Sequence, residues 1–207
     1  MEDAAVLSHA YTESMMRLMA ELGKLPGIGE RTAERLALHV LKATDDEALA
    51  LAQAIRDVKR NTRRCSVCSN ITEDDPCPIC ADPRRDHSVL CVVEQPRDLV
   101  AVEKTGAYHG VYHVLMGRIA PIEDVHPEDL TLDLLLQRAR NGVKEVILYT
   151  NPDLEGDVTA QHIAKLLRPL GIKVTLPARG IPTGSHIEYS SDTILRDALD
   201  GRHELGS

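Results

Sequence analysis

Apolar positions along the chain change period more than once, and the changes divide it. From Tyr11 to Ala43 they recur every three or four residues: Met15, Leu18, Met19 and Leu22 before the stretch LPGIG, then Ala33, Leu36, Ala37, Val40 and Leu41 after it. That spacing predicts two helices, each with one apolar face. Between them Pro26 fixes the entry of the turn, while Gly27 and Gly29 permit backbone angles and a close approach that a side chain would forbid. A third helix is predicted from Asp45 to Arg60, with Leu49, Ala52, Ile55 and Val58 on one face. So small a helical unit has little core of its own, and its faces are expected to be buried against the cysteine-rich segment that follows or against another subunit.

From Ser88 the pattern alternates. VLCVVE, GVYHVL, KEVILYT and IKVTLP read as strands, separated by the helical stretches RDLVAVEKTG, PEDLTLDLLLQRARNG and GDVTAQHIAKLLRPLG. This order predicts an α/β fold, a mainly parallel sheet with helices on both faces, preceded by the helical hairpin unit and a small clip. Sites in such sheets lie past the carboxyl ends of the strands. Glu94 ends the first strand, and Asn151, Asp153, Glu155 and Asp157 follow the third.

The clip is the segment CSVCSNITEDDPCPIC, which places Cys65, Cys68, Cys77 and Cys80 in two C-x2-C turns eight residues apart. Two such turns facing each other complete a tetrahedron of thiolates around Zn2+ with no open position, so the expectation is one structural zinc per chain. A redox dithiol would not need a second copy, and the acidic start MEDAAVLSHA is unlike an export signal, which argues against disulfides and for the cytoplasm. A module of this size cannot bury enough apolar surface to fold without its metal. Cys91, amid Val and Leu, reads as a small buried core residue.

Charge sharpens the division. The formal net charge is −8, but through residue 64 the chain carries ten basic and ten acidic side chains, against twelve and seventeen from residue 88 onward. Arg56, Lys59, Arg60, Arg63 and Arg64 form a basic run offset by Asp57 alone. A polyanion responds to such local fields, so if nucleic acid is a partner the N-terminal part is expected to hold it. The chain has no Phe and no Trp, which excludes binding built on aromatic platforms for stacked bases. Contacts should go to the phosphate backbone, with weak sequence specificity and strong salt dependence. The glycine turn exposes backbone N–H groups where the dipole of the second helix also favours an anion, and Lys24, Arg31 and Arg35 add charge around it. Lys24, Gly27, Gly29, Arg31 and Arg35 are therefore the candidate DNA-binding residues.

The LPGIG turn between helices resembles a helix-hairpin-helix motif. Glu94 at a strand end, followed by the acidic pattern after a later strand, resembles a Toprim domain, whose acids hold Mg2+ for phosphodiester chemistry in topoisomerases, primases and some nucleases. Here the pattern reads NPDLEG, with Asn151 where the first Asp is expected and with Asp153 and Glu155 matching. An amide keeps the oxygen but removes a charge, so the site reads as reduced. No catalytic residue is assigned, and weak Mg2+ binding by Glu94, Asp153 and Glu155 is left open.

The whole order, with LPGIG, the cysteine spacing, VVE, TNP..EG and ARG.P.G in sequence, is similar to the RecR family of bacterial recombination mediators over nearly the full chain. GSHIEY departs from it where a second glycine and an acidic residue are expected. The resemblance implies a helical domain with the hairpin at 1–61, a zinc finger at 62–86, a Toprim domain at 87–178 and a C-terminal segment at 179–207 that makes oligomer contacts. It implies ring-like dimers or tetramers that hold DNA, and work with RecO, and in many bacteria RecF, to load RecA recombinase at gaps. It implies ring-lining DNA contacts at Lys24, Arg31 and Arg35. Glu94, Asn151, Asp153 and Glu155 become a partner-docking or vestigial acidic site, and the cell compartment a nucleoid-associated cytoplasm. Two rivals remain: a Mg2+-dependent Toprim enzyme, primase-like or nuclease, and a protein-only adaptor.

Overall fold

Two threonines start the first and third helices. Thr12 caps α1 (Glu13–Gly23) by accepting from the Met15 amide, and Thr44 caps α3 (Asp45–Asn61) in a reciprocal box with Glu47, leaving Gly29 at the head of α2 (Glu30–Lys42) with no side chain to offer. The computed structural model describes residues 10–202. The acidic start up to His9 and the end from His203 lie outside the described residues. The chain divides into two compact units, one running through Thr62 and the other beginning at Arg63.

In the first unit α1 packs on α2 around Met15, Ala33 and Ala37, its buried apolar residues. Leu18, Met19, Leu22, Leu36 and Val40 are half-buried. Leu41, Leu49, Ile55 and Val58 are exposed, so the predicted apolar face of α3 is present but uncovered among the described residues of its own unit.

The second unit opens with a two-stranded antiparallel ribbon, β1 (Arg63–Arg64) and β2 (Ile71–Thr72), and a single helical turn, α4 (Pro78–Ala81). A four-stranded all-parallel sheet follows, in the order β4-β3-β5-β6, built from β3 (Asp86–Val93), β4 (Gly110–Val114), β5 (Glu145–Tyr149) and β6 (Lys173–Thr175). α5 (Pro96–Glu103) covers one face, packing Leu99 on Cys91, Val93, Tyr112 and Val114. α6 (Leu132–Ala139) and α7 (Leu154–Leu167) cover the other, where Leu135, Ile163 and Leu167 pack on Leu90, Val92, Val146 and Leu148. Both faces of β3 are thus buried, which is why its sequence shows a continuous apolar run rather than an alternation.

PEDLTLDLLLQRARNG does not form one helix. A 3-10 turn at Pro127–Asp129 ends in extended backbone at Leu130, and α6 starts two residues later. The break is tertiary in origin: the Thr131 amide donates to Leu115 O, and its hydroxyl donates to Val114 O at the end of β4. The tail, for which no element was expected, carries α8 (Asp192–Asp200), capped by Ser191. No helix among the described residues is long and apolar enough to cross a membrane.

Candidate functional site

Three features gather chemistry: the cysteine clip, the strand ends of the sheet, and the glycine bend of the first unit.

In the clip, the Sγ atoms of Cys65, Cys68, Cys77 and Cys80 all lie within 4.8 Å of one another, with Cys68 and Cys77 at 3.6 Å. Four sulfurs at about 2.3 Å from one tetrahedral ion stand about 3.8 Å apart, so the arrangement fits Zn2+ and leaves no fifth place for a substrate. Hydrogen bonding with Cys80, together with burial, pushes the Cys68 thiol up, and burial pushes Cys77 up. Cys68 and Cys77 therefore favour their neutral form unless a cation stands among the sulfurs. Local backbone builds the first knuckle: Cys65 donates to Asn70 O, and Ser69, at φ 62, donates to Cys65 O. Two links dock the clip onto the sheet. The Val114 amide donates to Cys68 O at 2.8 Å, and Ile79 packs both among the cysteines and against the α5 face. Cys91 is buried between strand neighbours, and burial pushes its thiol up to about 12, which suits an inert core residue.

At the strand ends, Glu94 follows β3 and Asn151 follows β5, on the two adjacent strands whose connections depart in opposite directions. This is the switch point where such sheets place their sites. Glu94 is only 3% exposed, and both its oxygens are occupied: Oε1 accepts the Asn151 amide and Oε2 accepts Asn151 Nδ2, each at 2.7 Å. Asp153 caps α7, accepting the Gly156 amide at 2.8 Å. The turn between them is too tight for a side chain, since a Cβ at Gly156 would stand 2.0 Å from Asn151 O and 3.0 Å from Glu94 Oε1. Asp157, beyond the trio, pairs with Arg179 of the tail, which holds its carboxyl below the usual range.

One residue of this site was not singled out in the sequence. Arg118, just after β4, places Nη1 2.6 Å from Asp153 Oδ2 and Nη2 4.0 Å from Glu155 Oε2. Among the described residues, only the cysteines bring three or more metal-capable side chains to one point; the acids do not. The spacing of NPDLEG could reveal the acids but not a counter-ion some thirty-five residues earlier in the chain.

At the bend, Gly27 adopts φ +79, a conformation side chains rarely take. Gly29 is different: its φ of −85 suits any residue, and a Cβ there would meet nothing within 4 Å. The chain itself does not require glycine at 29. The bare position leaves the first turn of α2 without a side-chain cap and open at the backbone. Lys24, Arg31 and Arg35 are all exposed around it, with Lys24 held 2.7 Å from Glu21. Two further basic groups, His39 and Lys42, share with Arg31 and Arg35 a groove along α2 that Glu34 and Leu38 complete. Their helical spacing is a signal that the sequence carries.

Family profiles match in the order expected: a RecR helix-hairpin-helix over residues 15–59, a RecR four-cysteine zinc finger over 62–82 and a Toprim domain over 88–177. The chain is 49% identical to Recombination protein RecR of Syntrophotalea carbinolica, 51% to that of Moorella thermoacetica and 52% to that of Heliobacterium modesticaldum, in each case over 94% of this chain and 98% of the relative. With half its residues shared across almost the whole of those proteins, and all three family regions present in sequence, the chain belongs to the RecR family of recombination proteins.

Proposed function

We propose that this protein is a non-catalytic, DNA-binding mediator of recombinational repair. It assembles as a ring of two or four copies around DNA and works with RecO and RecF to load RecA at gaps, at the nucleoid in the cytoplasm. The observation that carries the reading is the bend at Gly27 and Gly29. Its first helical turn is free of side-chain caps, its second glycine is unneeded by the chain, and Lys24, Arg31 and Arg35 surround it. Backbone amides at a helix start and nearby cations recognise phosphate rather than base edges, so binding is loose in sequence and sensitive to salt.

Assembly has its own support. Among its described residues this unit buries only Met15, Ala33 and Ala37 of its apolar side chains while exposing Leu25, Leu41, Leu49, Leu51, Ile55 and Val58, an uncovered apolar surface of the kind that marks interaction sites. A second copy of the chain is the proposed cover, with the tail from residue 179 as a further contact. One Zn2+ per chain holds the clip as scaffold. The strand-end acids serve a basic partner such as RecO: Asp153 and Glu155 reach the surface beside Leu154, which is 77% exposed, while Glu94 and Asn151 brace them from beneath. No residue is assigned a catalytic role, because Asn151 gives its backbone amide and its side-chain Nδ2 to Glu94 instead of adding a fourth carboxylate.

The test is gapped-duplex binding across a salt series, with native mass measured alongside. Lys24→Glu, and separately Arg31→Glu with Arg35→Glu, are expected to weaken binding about tenfold or more. Each phosphate that a variant no longer neutralises should lower the slope of log affinity against log salt by about 0.9. Unchanged affinity in both variants removes the phosphate clamp, and a single-subunit mass with and without DNA removes the ring.

A further inference from the structure

We propose that the Arg118 guanidinium fills the role of the divalent cation at these strand ends, so that the acid cluster is closed to metal while Arg118 is in place. This rests on the non-catalytic reading above and goes further, because it names what replaces the ion.

Mg2+ needs carboxylate oxygens free to approach within about 2.1 Å, in near-octahedral geometry. Most of those at this site are already engaged. Glu94 spends both oxygens on Asn151, Asp153 gives one to the Gly156 amide and the other to Arg118, and the second guanidinium nitrogen faces Glu155. The residues present therefore do not suit the metal of the wider Toprim class.

Arg118 is also held where it stands. Before it, the Gly117 amide donates to the backbone oxygen of Glu94 at 3.1 Å. After it, the Ile119 amide donates to Thr159 Oγ1 at 2.9 Å, and that hydroxyl donates to the backbone oxygen of Glu155 at 2.7 Å. The residues flanking the arginine are thus tied to the backbone of two of the acids it serves, one tie direct and one through Thr159. Its side chain is only 31% exposed. Against the cost of that partial burial, the charges of Asp153 and Glu155 push its pKa above the usual arginine value. A guanidinium stays charged throughout the accessible pH range, so this counter-ion cannot be titrated away as a lysine could.

Mn2+ binding to the zinc-loaded full chain, read from the electron paramagnetic resonance of the free ion, tests the proposal. Wild type is expected to show no saturable uptake up to about 1 mM, the weak end of oxygen-ligand affinities. Arg118→Gln should gain binding about tenfold or more tighter, the change that loss of one opposing charge brings, and adding Asp153→Asn should abolish the gain. Arg118→Lys, which keeps the charge, should stay closed.

Saturable uptake by wild type that Asp153→Asn removes overturns the proposal. So does a folded Arg118→Gln, checked by its melting curve, that gains nothing. Should Arg118→Gln not fold, the wild-type and Arg118→Lys measurements still decide: uptake in either overturns the closed site, and refusal in both supports it. DNA cleavage and primer extension with Mg2+ on the same wild-type samples separate the two readings. Uptake without turnover sinks the arginine's role and leaves the mediator standing, whereas turnover sinks the mediator reading itself.

Discussion

Cys65, Cys68, Cys77 and Cys80 bring four sulfurs within 4.8 Å of one another, and the donors they meet are backbone amides and each other's thiols. Glu94, Asp153 and Glu155 lie in the same compact unit, and the protein answers them with Asn151, the Gly156 amide and Arg118. Sulfur is a weak acceptor, so a folded chain gains little by pointing N–H groups at it and its lone pairs are left for a soft metal. Carboxylate oxygen is a strong acceptor that amides and guanidinium satisfy readily. Ligand-type residues at ligand spacing are thus only half of a metal site. The other half is whether the fold has already used their lone pairs.

The cysteine side of that contrast breaks most visibly. Zinc contributes roughly 10 to 16 kcal/mol to small modules of this kind, more than the clip can gain from Val67 and Ile79. Chelation, or Cys77→Ser, is expected to empty the site and disorder residues 65–80. The Val114 amide, which donates to Cys68 O, should then lose its protection from hydrogen exchange. Metal analysis and exchange rates check this. Full zinc content in Cys77→Ser, with Val114 still protected, would show that three sulfurs and the packing suffice.

The acidic side breaks by restoring the missing carboxylate. In Asn151→Asp the donor to Glu94 Oε2 becomes an acceptor, and two carboxylates meet where Glu94 is buried. The cost expected at pH 7 is about 3 to 5 kcal/mol, the range for an uncompensated buried charge, read from urea midpoints. Adding Glu94→Gln should recover most of it. The new Nε2 can donate to Asp at 151 while Oε1 keeps the backbone amide, and the double-mutant cycle isolates that pair. Asn151→Asp at wild-type stability would mean that Asn151 is no clamp on Glu94.

How far these arrangements could be read beforehand follows the range of the forces that make them. The four sulfurs were legible because a C-x2-C turn is local and its two copies lie close together in the chain. The strands were legible from apolar runs, and Glu94 and Asn151 fell at the strand ends because parallel sheets put loops there. Arg118 was not, since its partners come from another crossover and its placement depends on Thr159, a residue with no marked chemistry. The break before α6 escaped for a similar reason. Helical periodicity continues through Leu130, and only the hydrogen bonds of Thr131 to the end of β4 show why the helix starts late. α3 shows the reverse: its apolar face was predicted correctly, but the described residues of its own unit leave that face bare.

A smaller effect extends the contrast to a group with neither a metal nor a counter-ion. His113 on β4 is wholly buried, and its Nε2 lies 2.9 Å from Thr131 Oγ1 and 3.1 Å from Thr131 O. The Thr131 hydroxyl already donates to Val114 O, so Nε2 must carry the proton, and Nδ1 is left with no partner among the described residues. Protonating Nδ1 would bury an unpaired donor on a cation. Burial, and then the charge of Arg138, lower the pKa from 6.5 to about 4. The folded state therefore takes up this proton less readily than the unfolded chain. The stability it confers is complete above pH 6.5 and declines as pH falls from there to about 4, by about 2 kcal/mol at pH 5. In His113→Leu absolute stability should fall at pH 7, because Thr131 loses its donor. The difference in urea-derived stability between pH 7 and pH 5 should nevertheless shrink by about 2 kcal/mol. An unchanged difference would mean that the core accommodates an imidazolium, and that a buried charge in this unit needs no donor set of its own.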